Sequence, residues 1–298
     1  MKLSMRELII YLKLKEVSYQ EQARVLRYLV HYHLCQNTWD EYEYQQLKQE
    51  IRHTVIALNL PDWDSDLCQS AKQLAMQAIV FGDTTYPKRW YHIPQPPLVI
   101  FYEGNLSLLS KFPVSIVGSR KITSYGKKVT QELVEAFTRE GWVSVSGMAK
   151  GIDTVVHQSA MNGGVQQSTI AIIATGLDRC YPREHTNLQL QLGQQHLVLS
   201  EFLPNSPALK HHFIMRNRLV AGISSAICVM QAARKSGSLI TANYALQFNR
   251  EIYALPGRID DVQSAGCNDL IMAGATPILS IEETVQSIKT LKNAQNRV

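Results

Sequence analysis

Glycine is absent from the first 81 residues of this 298-residue chain. A DNA-gripping helix-hairpin-helix usually needs glycine in its hairpin, where the backbone must approach phosphate closely. Residues 1–80 also carry nine Lys and Arg against ten Asp and Glu, so the region is close to neutral. Both facts favour a structural or partner-binding role there over a DNA-binding one. Cysteine is scarce: Cys35, Cys68, Cys180, Cys228 and Cys267 make an odd count with no C-x-x-C pair. That argues against a zinc site or a disulfide framework and for buried, reduced thiols in a cytoplasmic setting. Long apolar runs are missing, so no membrane span is expected. The opening MKLSMRELIIYLKLKE is broken by Lys13 and Lys15 and has no small-residue cleavage site, so it does not read as a signal peptide. No G-x-x-x-x-G-K-[ST] occurs, which excludes a Walker ATPase, and no G-x-S-x-G elbow occurs either.

What is present falls into two parts. Hydrophobic residues make up 45% of the chain and charged residues 18%, enough to bury a substantial core. Residues 1–80 read as all helix, with apolar residues at helical spacing in Met5–Leu14, Gln22–Leu34 and Leu47–Leu60. Ser18 and Asp66 stand where N-caps are expected, and Pro61 separates a third helix from a fourth. A proline-rich connection follows over 83–112, with a short strand at Leu98–Tyr102. From residue 81 onward the balance is basic, with 21 Lys and Arg against 15 Asp and Glu. Here apolar, β-branched runs alternate with helix-length segments: strands at Val114–Val117, Val143–Val145, Thr169–Ala174, Leu197–Leu199, Ala226–Met230 and Glu251–Leu255, and helices at Gly126–Glu140, Thr154–Met161, Thr186–Leu192, Arg216–Gly222 and Leu239–Phe248. The pattern predicts an α/β fold: an extended, Rossmann-like, doubly wound parallel sheet over 81–298, preceded by a small all-helical domain over 1–80.

In such sheets ligands bind beyond the carboxyl ends of the strands. The first strand there runs into PVSIVGSRKITSYG, where glycine leads into a basic, hydroxyl-rich loop and then a helix start. Unpaired backbone N–H groups and the helix dipole make that junction an anion site. Arg120 stands where a dinucleotide fold needs a glycine, so a nicotinamide or flavin enzyme is disfavoured. Five further βα loops bring Lys150, Arg179, Arg183, Lys210, Arg216, Arg218, Arg234, Lys235 and Arg258 to the same edge as Arg120 and Lys121. A basic rim of this kind suits an extended polyanion better than one small phosphate. Structural duty is the competing reading for any single member, and Gly118 in particular fits a turn that needs positive φ. Tyr125, Tyr181 and Phe213 lie among these cations, either to stack on bases or to pin their loops to the core. Asp153 and His157, four residues apart, read first as a helix cap and a packed histidine. Nothing in the spacing of Asp153, Asp178 and Glu201 demands a metal.

At these loops the chain resembles the bacterial DNA-processing protein A family (DprA, also called Smf). The matching pieces, in the family's order, are VGSRKITSYG, SGMAKGID with His157 following, ATGLDRCYP, LSEF, MRNRLVAGIS, KSGSLITANYAL, YALPGRID and SAGCNDLIMAGA, over roughly residues 80–280. The resemblance implies a Rossmann-like domain behind a helical, SAM-like one. It implies a homodimer that binds and protects single-stranded DNA and loads the RecA recombinase onto it during natural transformation, with single-strand binding protein as a further candidate partner. No catalytic residue, metal or cofactor is implied. By position, Gly118, Ser119 and Arg120 would meet phosphate, surrounded by Gly147, Lys150, Arg183, Arg216, Arg218, Lys235 and Ser236; the rim and its aromatics add Lys121, Arg179 and Phe213. Dimer contacts are expected around Gly266–Ala275. The winged helix that often closes the family is not expected with the last residue at Val298. Met230-Gln231 replaces a common Val-Glu, which would make the rim more basic. The alternative is a nucleotide phosphoribohydrolase of the lysine-decarboxylase-like Rossmann class, whose P-G-G-x-G-T is represented here only by Pro256-Gly257.

Overall fold

The computed structural model describes residues 1–54, 59–162 and 168–295. The chain divides into two compact units, Met1–Tyr86 with Pro97–Phe101, and Pro87–Pro96 with Tyr102–Val298.

The first unit holds α1 (Met5–Leu14), α2 (Tyr19–His31), α3 (Glu41–Thr54) and α4 (Ser65–Ala75). Capping boxes start the first two: Ser4 with Glu7, and Ser18 with Glu21, each satisfying two otherwise orphaned N–H groups. Five consecutive side chains of α1, Leu8 to Leu12, are buried, so this helix is the unit's centre rather than a one-faced surface helix. Tyr11 and Tyr44 are buried beside it and donate their hydroxyls to the carbonyls of Asp62 and Pro61, at 2.7 and 2.8 Å. The all-helix expectation needs correction. β1 (Leu3–Ser4) pairs antiparallel with β2 (Thr38–Trp39), and β3 (Ala78–Val80) pairs antiparallel with the first half of β4 (Val99–Gly104). Strands this short carry no legible period. The cap of α4 is Asp64, not Asp66: its carboxylate accepts from the N–H groups of Asp66 and Leu67. The expected third helix ran over residues 55–58, which lie outside the described residues.

The second unit contains β5 (Pro113–Val117), α5 (Ser124–Arg139), β6 (Val143–Ser146), α6 (Ile152–Asn162), β7 (Thr169–Ile173), α7 (Thr186–Gln195), β8 (Leu197–Ser200), α8 (Lys210–Ile223), β9 (Ala226–Val229), α9 (Gly237–Gln247), β10 (Glu251–Ala254), α10 (Ala265–Met272), β11 (Thr276–Pro277) and α11 (Ile281–Gln295). The strands lie in the order β11-β10-β9-β5-β6-β7-β8, every neighbouring pair parallel. The strands from β5 to β9 are buried along their whole length because helices cover both faces. Phe137, Trp142, Val156 and Ile288 pack against Val114, Ile116 and Cys228 on one side of the sheet. Two buried strand hydroxyls find backbone acceptors: Ser115 Oγ donates to Val220 O, and Ser146 Oγ to Ile116 O, both at 2.7 Å. The expected proline-rich connection is partly packed structure, since Trp90 is buried and its Nε1 donates to Leu219 O at 3.1 Å. Among the cysteines, Cys68, Cys228 and Cys267 are buried and Cys35 and Cys180 half-buried, all as free thiols. No helix among the described residues is long and apolar enough to cross a membrane.

From β5 the chain winds outward through β6, β7 and β8. It then returns by α8 to place β9 on the other flank of β5. This reversal opens a crevice at the carboxyl ends of β5 and β9.

Candidate nucleic-acid interface

The crevice is a cleft of about 770 Å³. Its floor is the 118–121 loop, one wall is the first turns of α8, and another is the start of α9. Gly118 is required here by close approach rather than by a positive φ. A Cβ would lie 2.5 Å from Ile152 Cγ1 and 3.1 Å from Gln231 O, so the loop seats directly on α6. Gly151 supplies the left-handed turn, at φ +83°, and its own Cβ would strike Ser119 O. Ser119 is held rather than free: Oγ donates to Gln263 Oε1 at 2.5 Å and accepts from the Lys121 N–H at 3.0 Å. Gln231, buried beneath the loop, accepts from the Thr123 N–H at 2.9 Å and donates to Thr123 Oγ1 at 3.0 Å. The Gln231 substitution therefore acts on loop shape; the residue is not on the open rim.

Behind the cleft sits a buried charged layer. The Gly147 backbone passes between Asp153 and Arg216; a Cβ on it would come 2.0 Å from Arg216 Nη1 and 2.5 Å from Asp153 Oδ2. Burial pushes the Asp153 carboxyl up and the Arg216 guanidinium down, with each partner's charge opposing the shift. Arg216 Nη1 donates to Ile172 O at 2.5 Å and Nε to Asn217 Oδ1 at 3.2 Å. Its Nη2 has no hydrogen-bond partner among the described residues, although the side chain is 6% exposed and lines the cleft. His157 is fully buried. Its Nε2 lies 2.6 Å from Gly147 O, which can only accept, so Nε2 carries the proton; Nδ1 lies 2.8 Å from Thr169 Oγ1, whose own proton goes to Ser144 O at 2.8 Å. Burial holds this imidazole near pKa 4, neutral at pH 7. It is a packed residue that positions Gly147.

The rim cations divide by partner. Four of them are spoken for: Lys150 with Glu184 at 2.6 Å, Arg218 with Glu201, Arg234 with Asp269 at 3.0 Å, and Arg258 with Asp260 at 2.7 Å. Arg218 is buried, with Nη2 donating to both Glu201 oxygens and Nη1 to Gln95 O; it ties α8 to its surroundings and is not presented to the cleft. Arg120, Lys121, Lys210 and Lys235 are exposed and make no ion pair among the described residues. Of these, Arg120, Lys121 and Lys210 line the cleft itself. Arg179 and Arg183 are likewise exposed and unpaired, but they line a second cavity.

Phe213 was expected in a loop. It lies instead in the first turn of α8, which begins at Lys210, six residues before the predicted start, with no side-chain cap. Lys210, His211 and His212 thus sit at the positive end of a helix dipole, an arrangement that favours a bound anion. His212 stacks on Phe202 at 4.0 Å, and burial lowers its pKa. Arg120 lies over the Phe213 ring at 5.7 Å, and Phe213 meets Tyr181 edge-on at 5.3 Å. Tyr125 is tied down through its hydroxyl to Pro256 O at 3.0 Å. At the start of α9, Ser236 Oγ bonds Ser238 Oγ at 2.7 Å rather than capping, so the first N–H groups of that helix open on the cleft.

The structure therefore gathers Gly118, Ser119, Arg120, Lys121, Gly147, Phe213, Arg216 and Ser236 around one cleft, places Lys235 and the ion-paired Lys150 beside its lining residues Ser236 and Ala149, and sets Arg179 and Arg183 at a second cavity and Arg218 in a buried ion pair. Gln263 and Gly151 shape the cleft without having been singled out for it, and Gln231 shapes it from beneath instead of altering the charge of its rim. Gln263 has no legible signal, while Gly151 lay in a loop already of interest. The three carboxylates part company: Asp153 faces Arg216, Asp178 accepts from Asn205 N–H, and Glu201 holds Arg218. Among the described residues no acid, His or Cys cluster could hold a metal. Pro256-Gly257 packs against Ser264, away from the cleft lining.

Residues 77–289 match the model of the family described as DNA recombination-mediator protein A. The DNA processing protein DprA of Streptococcus pneumoniae is 44% identical over 205 residues, covering 68% of this chain and 71% of that protein. An X-ray structure of DprA from Streptococcus pneumoniae superposes with a TM-score of 0.80 at 33% identity, covering 96% of this chain and 98% of the other. A structure of DNA processing protein A from Helicobacter pylori, described for its single-stranded DNA binding mode, gives a TM-score of 0.65 at 30% identity over 72% and 96% of the two chains.

Proposed function

The chain belongs to the DNA recombination-mediator protein A family, and from that premise we propose that its cleft binds single-stranded DNA and that the bound strand is protected and handed to RecA during natural transformation. One observation carries the reading: the cleft's three exposed cations, Arg120, Lys121 and Lys210, make no ion pair among the described residues, while Lys150, Arg218, Arg234 and Arg258 of the same edge do. Arg120, Lys121 and Lys210 stand ready for phosphates, and the buried Arg216 offers Nη2 from behind. A small anion would need one such group. Several of them around one cleft, beside the N-terminus of α9, suit an extended polyanion. The Phe213–Tyr181 pair offers faces on which unpaired bases stack without regard to sequence. A duplex hides those bases, which is why the reading is single-stranded.

Binding, with no bond made or broken, is the whole activity in this reading; no residue is given a catalytic role. The protein acts in the cytoplasm, where RecA and single-strand binding protein are its partners, and as a homodimer. Met272 of α10, 87% exposed, places an apolar side chain on the segment assigned to the dimer contact. Residues 1–80 belong to a mainly helical compact unit that also takes in 81–86 and 97–101. The decisive experiment is a mobility shift comparing single- and double-stranded DNA of equal length, with and without RecA. Preferential retardation of the single strand and a further RecA-dependent species are expected. Equal affinity for both forms would refute the reading, as would release of ribose phosphate from a nucleotide.

A further inference from the structure

A second cavity of about 810 Å³ opens beyond the carboxyl ends of β7 and β8. It is lined by Arg179, Tyr181, Arg183, Gln189 and Leu190, among others. It adjoins the cleft through one aromatic pair: Tyr181 lines the cavity, Phe213 lines the cleft, and their rings meet edge-on. Three features make it a site rather than a gap. Arg179 and Arg183 are exposed and make no ion pair among the described residues, unlike the neighbouring Lys150. Tyr181 and Leu190, 46% and 53% exposed, offer apolar faces large enough to cover a base. Gln189 is only 7% exposed and donates through Nε2 to Leu177 O at 2.8 Å, yet its Oε1 accepts from nothing among the described residues. The amide oxygen of a largely buried side chain that opens on a cavity is an acceptor available to a ligand's donor. Two carboxylates also line the cavity: Asp178, which accepts from the Asn205 N–H at 2.8 Å, and Glu103.

We propose that this cavity receives one nucleotide of the strand that runs through the cleft. Its base packs on Tyr181 and Leu190 and donates an amino or ring N–H to Gln189 Oε1, while Arg179 and Arg183 hold its phosphate. The inference rests on the single-strand reading above and extends it: the bound strand turns at the Phe213–Tyr181 pair and places a base out of line. The footprint is therefore two-part, and short oligomers fill only the first part.

The test uses the full chain and fluorescence anisotropy with deoxycytidine oligomers of about 6 and about 20 nucleotides. Leu190→Trp fills the cavity from an exposed position and leaves the cleft intact. It should weaken the long oligomer about tenfold and leave the short one within about twofold. Arg183→Glu should do the same and flatten the long oligomer's salt slope by about 0.7. If both variants bind the long oligomer as the wild type does while Arg120→Ala weakens both oligomers, the cleft reading stands and this proposal falls. If Arg120→Ala leaves both unchanged, the cleft reading itself fails and takes this one with it. A melting shift by deoxycytidine monophosphate that Leu190→Trp abolishes, with long-oligomer affinity unchanged, would make the cavity a free-nucleotide site and overturn the proposal.

Discussion

Replacing Arg120 by alanine removes one exposed cation of the cleft that makes no hydrogen bond or ion pair holding the fold together among the described residues. The guanidinium makes no ion pair among the described residues and touches the protein chiefly through the Phe213 face at 5.7 Å. Removing it should therefore change unfolding free energy by no more than about 0.5 kcal/mol, the usual range for a surface substitution. Its effect on DNA should be far larger. A hydrogen bond between charged partners contributes about 1.5–3 kcal/mol, and exposure places this one at the lower end, so affinity for a single strand at moderate salt should fall about tenfold. A strand contacting about five phosphates gives a log–log salt slope near −3.5, and losing one contact should bring it to about −2.8. Arg120→Lys keeps the charge but loses the flat fork, so its slope should match the wild type while its affinity lies between the two. Anisotropy titrations of a labelled oligomer at four or five salt concentrations measure all of this. An Arg120→Ala protein with unchanged affinity and slope would refute the anion-site argument. An affinity loss with an unchanged slope would mean that Arg120 acts by shaping Phe213 rather than by meeting phosphate.

Other consequences follow from the buried layer. Gly147→Ala drives a methyl group onto the buried Arg216 and Asp153 side chains, which must shift off their bonds to Ile172 O and the Ala149 N–H, so urea denaturation should show a loss of about 1–3 kcal/mol, with weaker DNA binding. His157 is held near pKa 4 against an ordinary 6.5, so folded and unfolded chains bind protons equally above pH 6.5. As pH falls below that, only the unfolded chain takes up the proton, and stability drops by up to about 3 kcal/mol before levelling near pH 4. His157→Gln should flatten that part of the pH–stability curve. Glu201→Ala strands the buried Arg218 guanidinium and should cost about 3–5 kcal/mol, while the salt slope of DNA binding stays put in the folded protein.

The two readings of Arg218 and Arg216 illustrate where pattern ends. On the page they are two arginines of one motif, MRNR, with equal claims on a phosphate. In space, two residues along α8 is about 200° around the axis, and the two guanidiniums find different surroundings. Arg218 meets Glu201, seventeen residues earlier, and Arg216 comes to rest beside Asp153 with one edge toward the cleft. No local signal pairs an acid with a base across such distances. The same holds for Lys150, whose partner Glu184 lies in another loop. Gly118 shows the converse. That a glycine was needed after β5 was legible, but the reason, contact with Ile152 rather than backbone sign, was not.

What the sequence determined by itself was the alternation of buried strands and helices, the edge at which the loops gather, and the basic character of that edge. These follow from hydrophobic period and chain direction, which are local properties. What only the tertiary structure decided was which cations are free. Whether a charge is satisfied depends on what lies within about 4 Å of it, and in a wound sheet those neighbours come from loops dozens of residues apart. The GSRKITSYG loop was prominent from the start. Its candidacy as a binding site rests on neighbours that leave Arg120 and Lys121 without an ion pair among the described residues and set Phe213 against Arg120.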